Sequence, residues 1–106
     1  MNPDAVPQIA SQISDDIESA RRVLTTEANA LLTLSETLGD PLVQALDIFA
    51  NTQGRVIVSG MGKSGHIGSK IAATLASTGT PSFFVHPAEA SHGDLGMITA
   101  SDSIFA

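Results

Sequence analysis

The stretch RVIVSGMGKSG (residues 55–65) joins a β-branched run to a glycine-rich loop. A helical apolar pattern follows at Ile67, Ile71 and Leu75 and ends at Gly79. A second apolar run, residues 82–85, comes directly after a proline. A strand, loop, helix and strand in this order form a β-α-β unit, whose strands are parallel and whose crossover is right-handed. The sequence therefore predicts an α/β fold built on a parallel sheet.

The glycine loop after the first strand is suited to an anion. Gly60 and Gly62 let the backbone approach a ligand closely, and the following helix aims N–H groups and the positive end of its dipole at that ligand. Lys63 adds a positive charge, while Ser59 and Ser64 add hydroxyl donors. These five residues are predicted to bind a phosphate ester. The alternative is that the glycines only permit a tight turn.

Two better-known glycine loops compete with this interpretation. A nucleoside-triphosphatase loop requires a glycine five residues before Gly62, where the chain has Ile57, so its spacing is excluded. The glycines at 60, 62 and 65 do match the dinucleotide fingerprint. However, His86 occupies the place of the acidic residue that would hold a ribose. A nicotinamide site is therefore a minor alternative.

A second polar cluster follows the second strand, at the edge where open parallel sheets bind ligands. It contains His86, Glu89, His92 and Asp94. His86 with His92 or Glu89 is a candidate for a divalent metal, and Asp94 is either a ligand or a turn residue. Each histidine taken alone is as often structural, and His66 is predicted to be packed or solvated. The whole stretch is predicted to be loop or short turns.

The first half of the chain is predicted to be helical scaffold. Apolar residues recur every three or four positions from Ile9 to Leu38, which indicates a long amphipathic helix with a charged, solvated back. Gly39-Asp40-Pro41 then provides a C′ glycine, an N-cap and a helix start. A second helix runs to about Thr52. This helical hairpin, residues 1–53, is expected to pack on residues 54–106.

Composition excludes several classes of function. The formal net charge is -6, and the four aromatic residues are all phenylalanine, so the chain offers neither a basic stripe nor a stacking surface for nucleic acid. The absence of cysteine excludes a disulfide scaffold and a thiolate metal site, and it fits a cytoplasmic protein. No apolar run approaches the roughly 18 residues of a spanning helix, so no membrane partner is predicted.

Three sequence motifs match those of a known family. GMGKSGHIG (residues 60–68), ASTGTPSFFVHP (residues 76–87) and EASHGDLG (residues 89–96) closely resemble the arabinose-5-phosphate isomerase family of sugar isomerase (SIS) domains. The resemblance implies a flavodoxin-like αβα domain. It also implies reversible conversion of D-arabinose 5-phosphate and D-ribulose 5-phosphate, which supplies 3-deoxy-D-manno-octulosonate for lipopolysaccharide or capsule.

The resemblance also assigns roles to residues. It implies that Lys63 is catalytic, as the electrostatic partner of the phosphate or the enediolate. It implies that Gly79, Thr80 and His92 contact the substrate, and that His86 belongs to a zinc site with a structural or inhibitory role. The chemistry requires no cofactor. The family resemblance further implies a homo-oligomer, a tetramer in the family.

Residues 102–106 are predicted to begin a third strand. The chain is therefore expected to be the first part of a longer domain and to be inactive by itself, since the family's second phosphate loop and its glutamates are missing. A function of a different class is a sugar-phosphate-sensing SIS module of a regulator. The histidine cluster favours the enzyme, and the acidic N-terminal helices are unsuited to DNA.

Overall fold

The computed structural model describes residues 5–106, with side chains from residue 8 onward. The chain divides into two compact units, one ending at Gly39 and the other beginning at Asp40. Its elements, in chain order, are α1 (Ala5–Thr37), α2 (Asp40–Ala50), β1 (Val56–Val58), α3 (Gly62–Ser77), β2 (Ser82–Phe84), α4 (Pro87–Ser91), a 3-10 helix (Asp94–Met97) and β3 (Ser103–Phe105).

The first unit contains the long helix α1, as predicted. All of its described side chains are exposed, including the apolar stripe. Ile13, Leu24 and Leu31 expose 54%, 66% and 68% of their surface. Burial of an apolar side chain of this size contributes about 1.5–3 kcal/mol. Covering this stripe with another apolar surface would therefore stabilise the protein.

The break between the first two helices differs from the prediction in one respect. Gly39 does not have the positive φ of a C′ glycine. Two hydroxyls near the end of α1 bind carbonyls of its last turns instead: Ser35 Oγ donates to Leu32 O at 2.6 Å, and Thr37 Oγ1 donates to Leu34 O at 2.8 Å. The Thr37 bond satisfies Leu34 O, which is one of the last four carbonyls of α1, without a residue in the left-handed conformation.

The second unit is built on a three-stranded sheet of order β2-β1-β3, in which all strands are parallel. The predicted α/β class and the third strand are thus confirmed. Val56, Ile57 and Val58 of the central strand expose at most 2% of their surface, as expected for a parallel strand covered on both faces. A first strand between the second and third is how a flavodoxin-like sheet begins.

Helix α3 packs closely on this sheet because a small residue faces it. A Cβ added to Gly68 would lie 3.2 Å from both the Phe84 ring and Val58 Cγ1. Phe49 of α2 also packs on the core, and its ring centroid lies 5.7 Å from that of Phe105 in β3. Because α3 directly follows β1 in the chain, its N-terminus lies at the carboxyl edge of the sheet.

A carboxylate joins two backbone segments by hydrogen bonds at the amino edge of the sheet. Asp102 accepts hydrogen bonds from the backbone N–H groups of Arg55 and Thr99, each at 2.7 Å. The bond from Arg55 is the main reason that the pKa of Asp102 is lowered, and the bond from Thr99 adds to it. Arg55 donates from Nη2 to Met97 O at 2.9 Å, and its guanidinium lies 4.5 Å from the centroid of the Phe83 ring. β3 is therefore bound to the start of β1.

Candidate functional site

The glycine loop makes a turn that larger residues would obstruct. Gly62 has φ +57°, a conformation that favours glycine. A Cβ on Gly65 would lie 2.7 Å from Gly60 O, so the loop and the first turn of α3 are in direct backbone contact. The glycines at 60, 62 and 65 are thus required by the turn itself, and the turn places the start of α3 beside the end of β1.

The N-terminus of α3 has no side-chain cap. Met61 is its N-cap residue and makes no side-chain hydrogen bond to the helix. The first helical bond runs from Gly65 N to Met61 O at 3.2 Å, so the N–H groups of Gly62, Lys63 and Ser64 precede the ladder. Lys63 and Ser64 are exposed. Uncapped N–H groups, a helix dipole and a lysine together favour an anion at this end.

Ser59 has a partner for its hydroxyl proton. Its Oγ donates to Val85 O at 2.7 Å, and its backbone N–H donates to Phe105 O at 2.9 Å. Ser59 therefore ties the end of β1 to both neighbouring strands. In this arrangement its hydroxyl can only accept a hydrogen bond from a ligand, and its predicted contact with substrate stays a prediction.

Two clefts border different faces of α3 at the carboxyl edge. One, of about 200 Å³, lies toward β3 and is lined mostly by apolar side chains together with Ser59 and Ser64. The other, of about 350 Å³, lies toward β2 and is lined by Gly62, Gly65, His66, Ser69, Phe84 and His86. Lys63 lines neither of them. The predicted residues of the glycine loop are thus divided between the two clefts, and only the larger cleft carries imidazole groups.

Sequence reasoning missed His66 and Ser69 as cleft residues. Both lie on the same stripe of α3 as Gly62, since positions 62, 66 and 69 follow the spacing of one helix face. His66 is exposed, as one of the two predicted alternatives has it, and it faces the cleft that His86 borders. The helical period was the signal that could have grouped these residues with the glycine loop.

The stretch after β2, predicted as loop or short turns, contains a short helix and a 3-10 helix. The reason is that His86 acts as the N-cap of α4, with Pro87 at the start of the helix. Its Nδ1 accepts a hydrogen bond from Ala88 N at 3.1 Å. His92 is the exposed C-cap residue of the same helix.

The described residues around His86 do not supply the ligands of a zinc site. In residues 5–106, no group of three or more His, Cys, Asp or Glu side chains is placed to hold a metal ion. Asp94 begins the 3-10 helix, in agreement with its interpretation as a turn residue. Within the described chain, the donor set around His86 does not fit zinc, which takes three or four protein ligands.

Gly79 and Thr80 lie at the opposite edge of the sheet from the glycine loop, since they precede β2. Gly79 has φ +102°, and its N–H donates to Ala76 O at 3.4 Å. Thr80 N donates to Leu75 O at 2.9 Å. This pair of bonds is the Schellman motif that ends α3. The two residues therefore have a structural role, and their contact with substrate stays a prediction.

The chain is similar to proteins that contain SIS domains. Residues 48–106 match the SIS domain family. KdsD of Pseudomonas aeruginosa, an arabinose 5-phosphate isomerase, is 59% identical over 96 residues, covering 91% of this chain and 29% of that protein. GutQ of Salmonella typhi, also an arabinose 5-phosphate isomerase, is 60% identical over 86 residues, covering 81% and 27%. The chain thus spans less than a third of the length of these relatives.

Among solved structures, one protein of Escherichia coli CFT073 was determined in complex with A5P. It matches with a TM-score of 0.80 and 41% identity, over 86% of this chain and 48% of that chain. The helices described for this chain include none that is long and apolar enough to cross a membrane.

Proposed function

This chain belongs to the SIS domain family, and on that premise we propose that the protein interconverts D-arabinose 5-phosphate and D-ribulose 5-phosphate. The observation that supports this most strongly is the 59% identity to an arabinose 5-phosphate isomerase over 91% of the chain. We include in the same proposal that the reaction supplies 3-deoxy-D-manno-octulosonate for lipopolysaccharide or capsule. The cytoplasmic location of the protein is also part of this proposal.

The reaction moves a proton and needs no redox cofactor. A base removes the proton from C2 of the aldose, which leaves an enediolate; a proton then adds to C1, and the proton of the C2 hydroxyl moves to the oxygen of C1, which gives the ketose. Negative charge develops on the oxygens of C1 and C2 during this step. Lys63, exposed in the first turn of α3, is the proposed electrostatic partner of that charge or of the phosphate.

The phosphate is proposed to bind at the uncapped start of α3. Free N–H groups, the backbone of Gly60 and Gly62 and the hydroxyl of Ser64 are the donors available there. His92 and the pair Gly79-Thr80 are proposed as further contacts on the resemblance alone. Zinc takes no step in this proposal, because in the described residues no group of three potential ligands surrounds His86.

We also propose that the protein is a homo-oligomer, and the family resemblance implies that this oligomer is a tetramer. The support is the exposed apolar stripe of α1, which includes Ile13, Leu24 and Leu31. Leu24→Gln should shift sedimentation toward smaller species, because it places a polar amide in the stripe. Glu18→Gln, on the charged back, is the matched control and should leave sedimentation unchanged.

The test of the reaction uses the protein at its natural length with D-arabinose 5-phosphate in D₂O. Ketose should form, and solvent deuterium should enter at the carbon that receives the proton. Binding without turnover would favour the sugar-phosphate-sensing module of a regulator. For the 106-residue chain alone we expect no turnover, because no carboxylate lines either cleft beside α3 in the described residues.

A further inference from the structure

His86 has two roles in this structure, because it caps α4 and also lines a cleft. Its ring caps α4, with Nδ1 accepting the backbone N–H of Ala88 at 3.1 Å. The same residue lines the 350 Å³ cleft together with Gly62, His66 and Ser69. One ring nitrogen is therefore committed to the protein backbone, and Nε2 is the nitrogen left for a ligand.

The cap decides which nitrogen carries the proton. In a neutral imidazole one nitrogen is a donor and the other an acceptor, and the hydrogen bond of the first sets the state of the second. Because Nδ1 accepts from Ala88, the proton belongs on Nε2. A metal at Nε2 requires the lone pair there and a proton on Nδ1, which the cap does not allow. Metal binding and the α4 cap are thus mutually exclusive states of this side chain.

We propose that His86 donates its Nε2–H to an oxygen of the sugar phosphate, and that it is not a metal ligand while α4 is capped. This inference rests on the proposed function for the identity of the ligand. The cleft has the volume of a small-molecule site, which starts at about 300 Å³. It also reaches Gly62, the first residue of the uncapped helix. A ligand whose phosphate meets that helix end can present its hydroxyls to His86.

The first experiment measures the tautomer directly. Histidine ring nitrogens are labelled with ¹⁵N in the protein at its natural length, and His86 is assigned by its loss in His86→Ala. An unprotonated Nδ1 and a protonated Nε2 support the inference. A proton on Nδ1 overturns it. On addition of zinc chloride, the ring signals of His86 should not move, and wild type and His86→Ala should compete for zinc equally. A loss of zinc affinity in His86→Ala overturns the exclusion of metal.

The second experiment separates the cap from the donor. Ser is a strong N-cap residue, so His86→Ser keeps the bond to Ala88 N but removes the imidazole N–H, whereas His86→Ala removes both. Both variants should raise the KM for D-arabinose 5-phosphate about tenfold, the loss of one hydrogen bond to ligand. Only His86→Ala should also lower the melting temperature.

The outcomes distinguish this inference from the proposed function. Wild-type turnover with an unchanged KM in His86→Ser overturns the donor role and leaves the function intact. Neither binding nor turnover of D-arabinose 5-phosphate by wild type overturns the function and the donor role together. In that case the ¹⁵N measurement still decides between the capped tautomer and a metal ligand.

Discussion

The two edges of the sheet differ in how their polar groups are satisfied. At the amino edge, Asp102 accepts two backbone N–H groups, and the Schellman motif at Gly79 closes α3. At the carboxyl edge, α3 starts without a side-chain cap, and Lys63 and Ser64 are exposed. The polar groups described at the amino edge are bound within the protein, whereas the start of α3 at the carboxyl edge leaves backbone N–H groups, Lys63 and Ser64 available to a ligand.

Because of this difference, substitutions at the two edges should affect different properties of the protein. A substitution at the amino edge breaks internal hydrogen bonds, so it should lower the free energy of unfolding and leave the chemistry intact. Replacing Lys63 or Ser64 at the uncapped start of α3 removes an exposed side chain that does not cap the helix. It should therefore change turnover or binding without changing stability.

The largest effect is expected from Lys63→Met in the protein at its natural length. The long apolar side chain keeps the helix and removes the positive charge, and loss of one positioned charge costs roughly 100-fold in turnover. The melting temperature should stay within a few degrees. Lys70→Met is the matched control, because Lys70 is also exposed on α3 but lies almost two turns further along. Equal turnover of the two variants would remove Lys63 from the chemistry.

Next in size is Gly54→Ala at the amino edge. A Cβ at this position would collide with Asp102 Oδ1 and lie 2.9 Å from Ser101 O. Overpacking of this kind costs about 2 kcal/mol, measured as the free energy of unfolding in urea. Gly96→Ala is the control, since nothing lies within 4 Å of its Cβ and its φ is not positive. A loss of turnover in the folded Gly54→Ala protein would contradict the expectation that substitutions at the amino edge lower stability and leave the chemistry intact.

Gly79→Ala distinguishes between a structural role of Gly79 at the end of α3 and its predicted contact with substrate. Alanine at φ +102° should cost about 1 kcal/mol of stability, and Gly79→Asn less, since asparagine tolerates this region better. If Gly79 only caps α3, the KM for D-arabinose 5-phosphate stays unchanged in both variants. A raised KM in a variant that retains its stability would instead establish the substrate contact that the resemblance implies.

Local signals explain what the sequence could predict. The β-branched run, the glycines and the periodic residues of α3 are contiguous, so β1, the turn and the helix could all be read from neighbouring positions. The Schellman end at Gly79 could be read in the same way. The anion-binding residues of the loop were predicted from the same contiguous pattern, and their contact with a ligand is still a prediction.

Long-range packing explains what the sequence could not predict. Asp102 and Arg55 are 47 residues apart in the chain, so their hydrogen bond leaves no local pattern. The order β2-β1-β3 depends on which edges pair, and the division of the loop between two clefts depends on where α3 packs. Histidine is also not among the preferred N-cap residues, so the cap that His86 provides for α4 could not be predicted from the sequence.

The smallest effect concerns the acid sensitivity of the amino edge. The pKa of Asp102 is lowered in the folded protein, chiefly by the hydrogen bond from Arg55 N and then by the bond from Thr99 N. A carboxyl group whose pKa is lower in the folded than in the unfolded state contributes stability that is fully present above its unfolded pKa. That contribution is lost as the pH falls through the folded pKa.

Asp102→Asn should therefore be less stable than wild type at neutral pH, because an amide has one oxygen for two N–H donors. The difference between the two proteins should shrink below about pH 4, where the wild-type carboxylate takes up its proton. Urea unfolding at a series of pH values measures this directly. A constant difference from neutral pH to about pH 3 would mean that the carboxylate charge does not hold β3 to β1. Turnover at neutral pH should be the same in both folded proteins, since Asp102 lies at the edge opposite to the glycine loop.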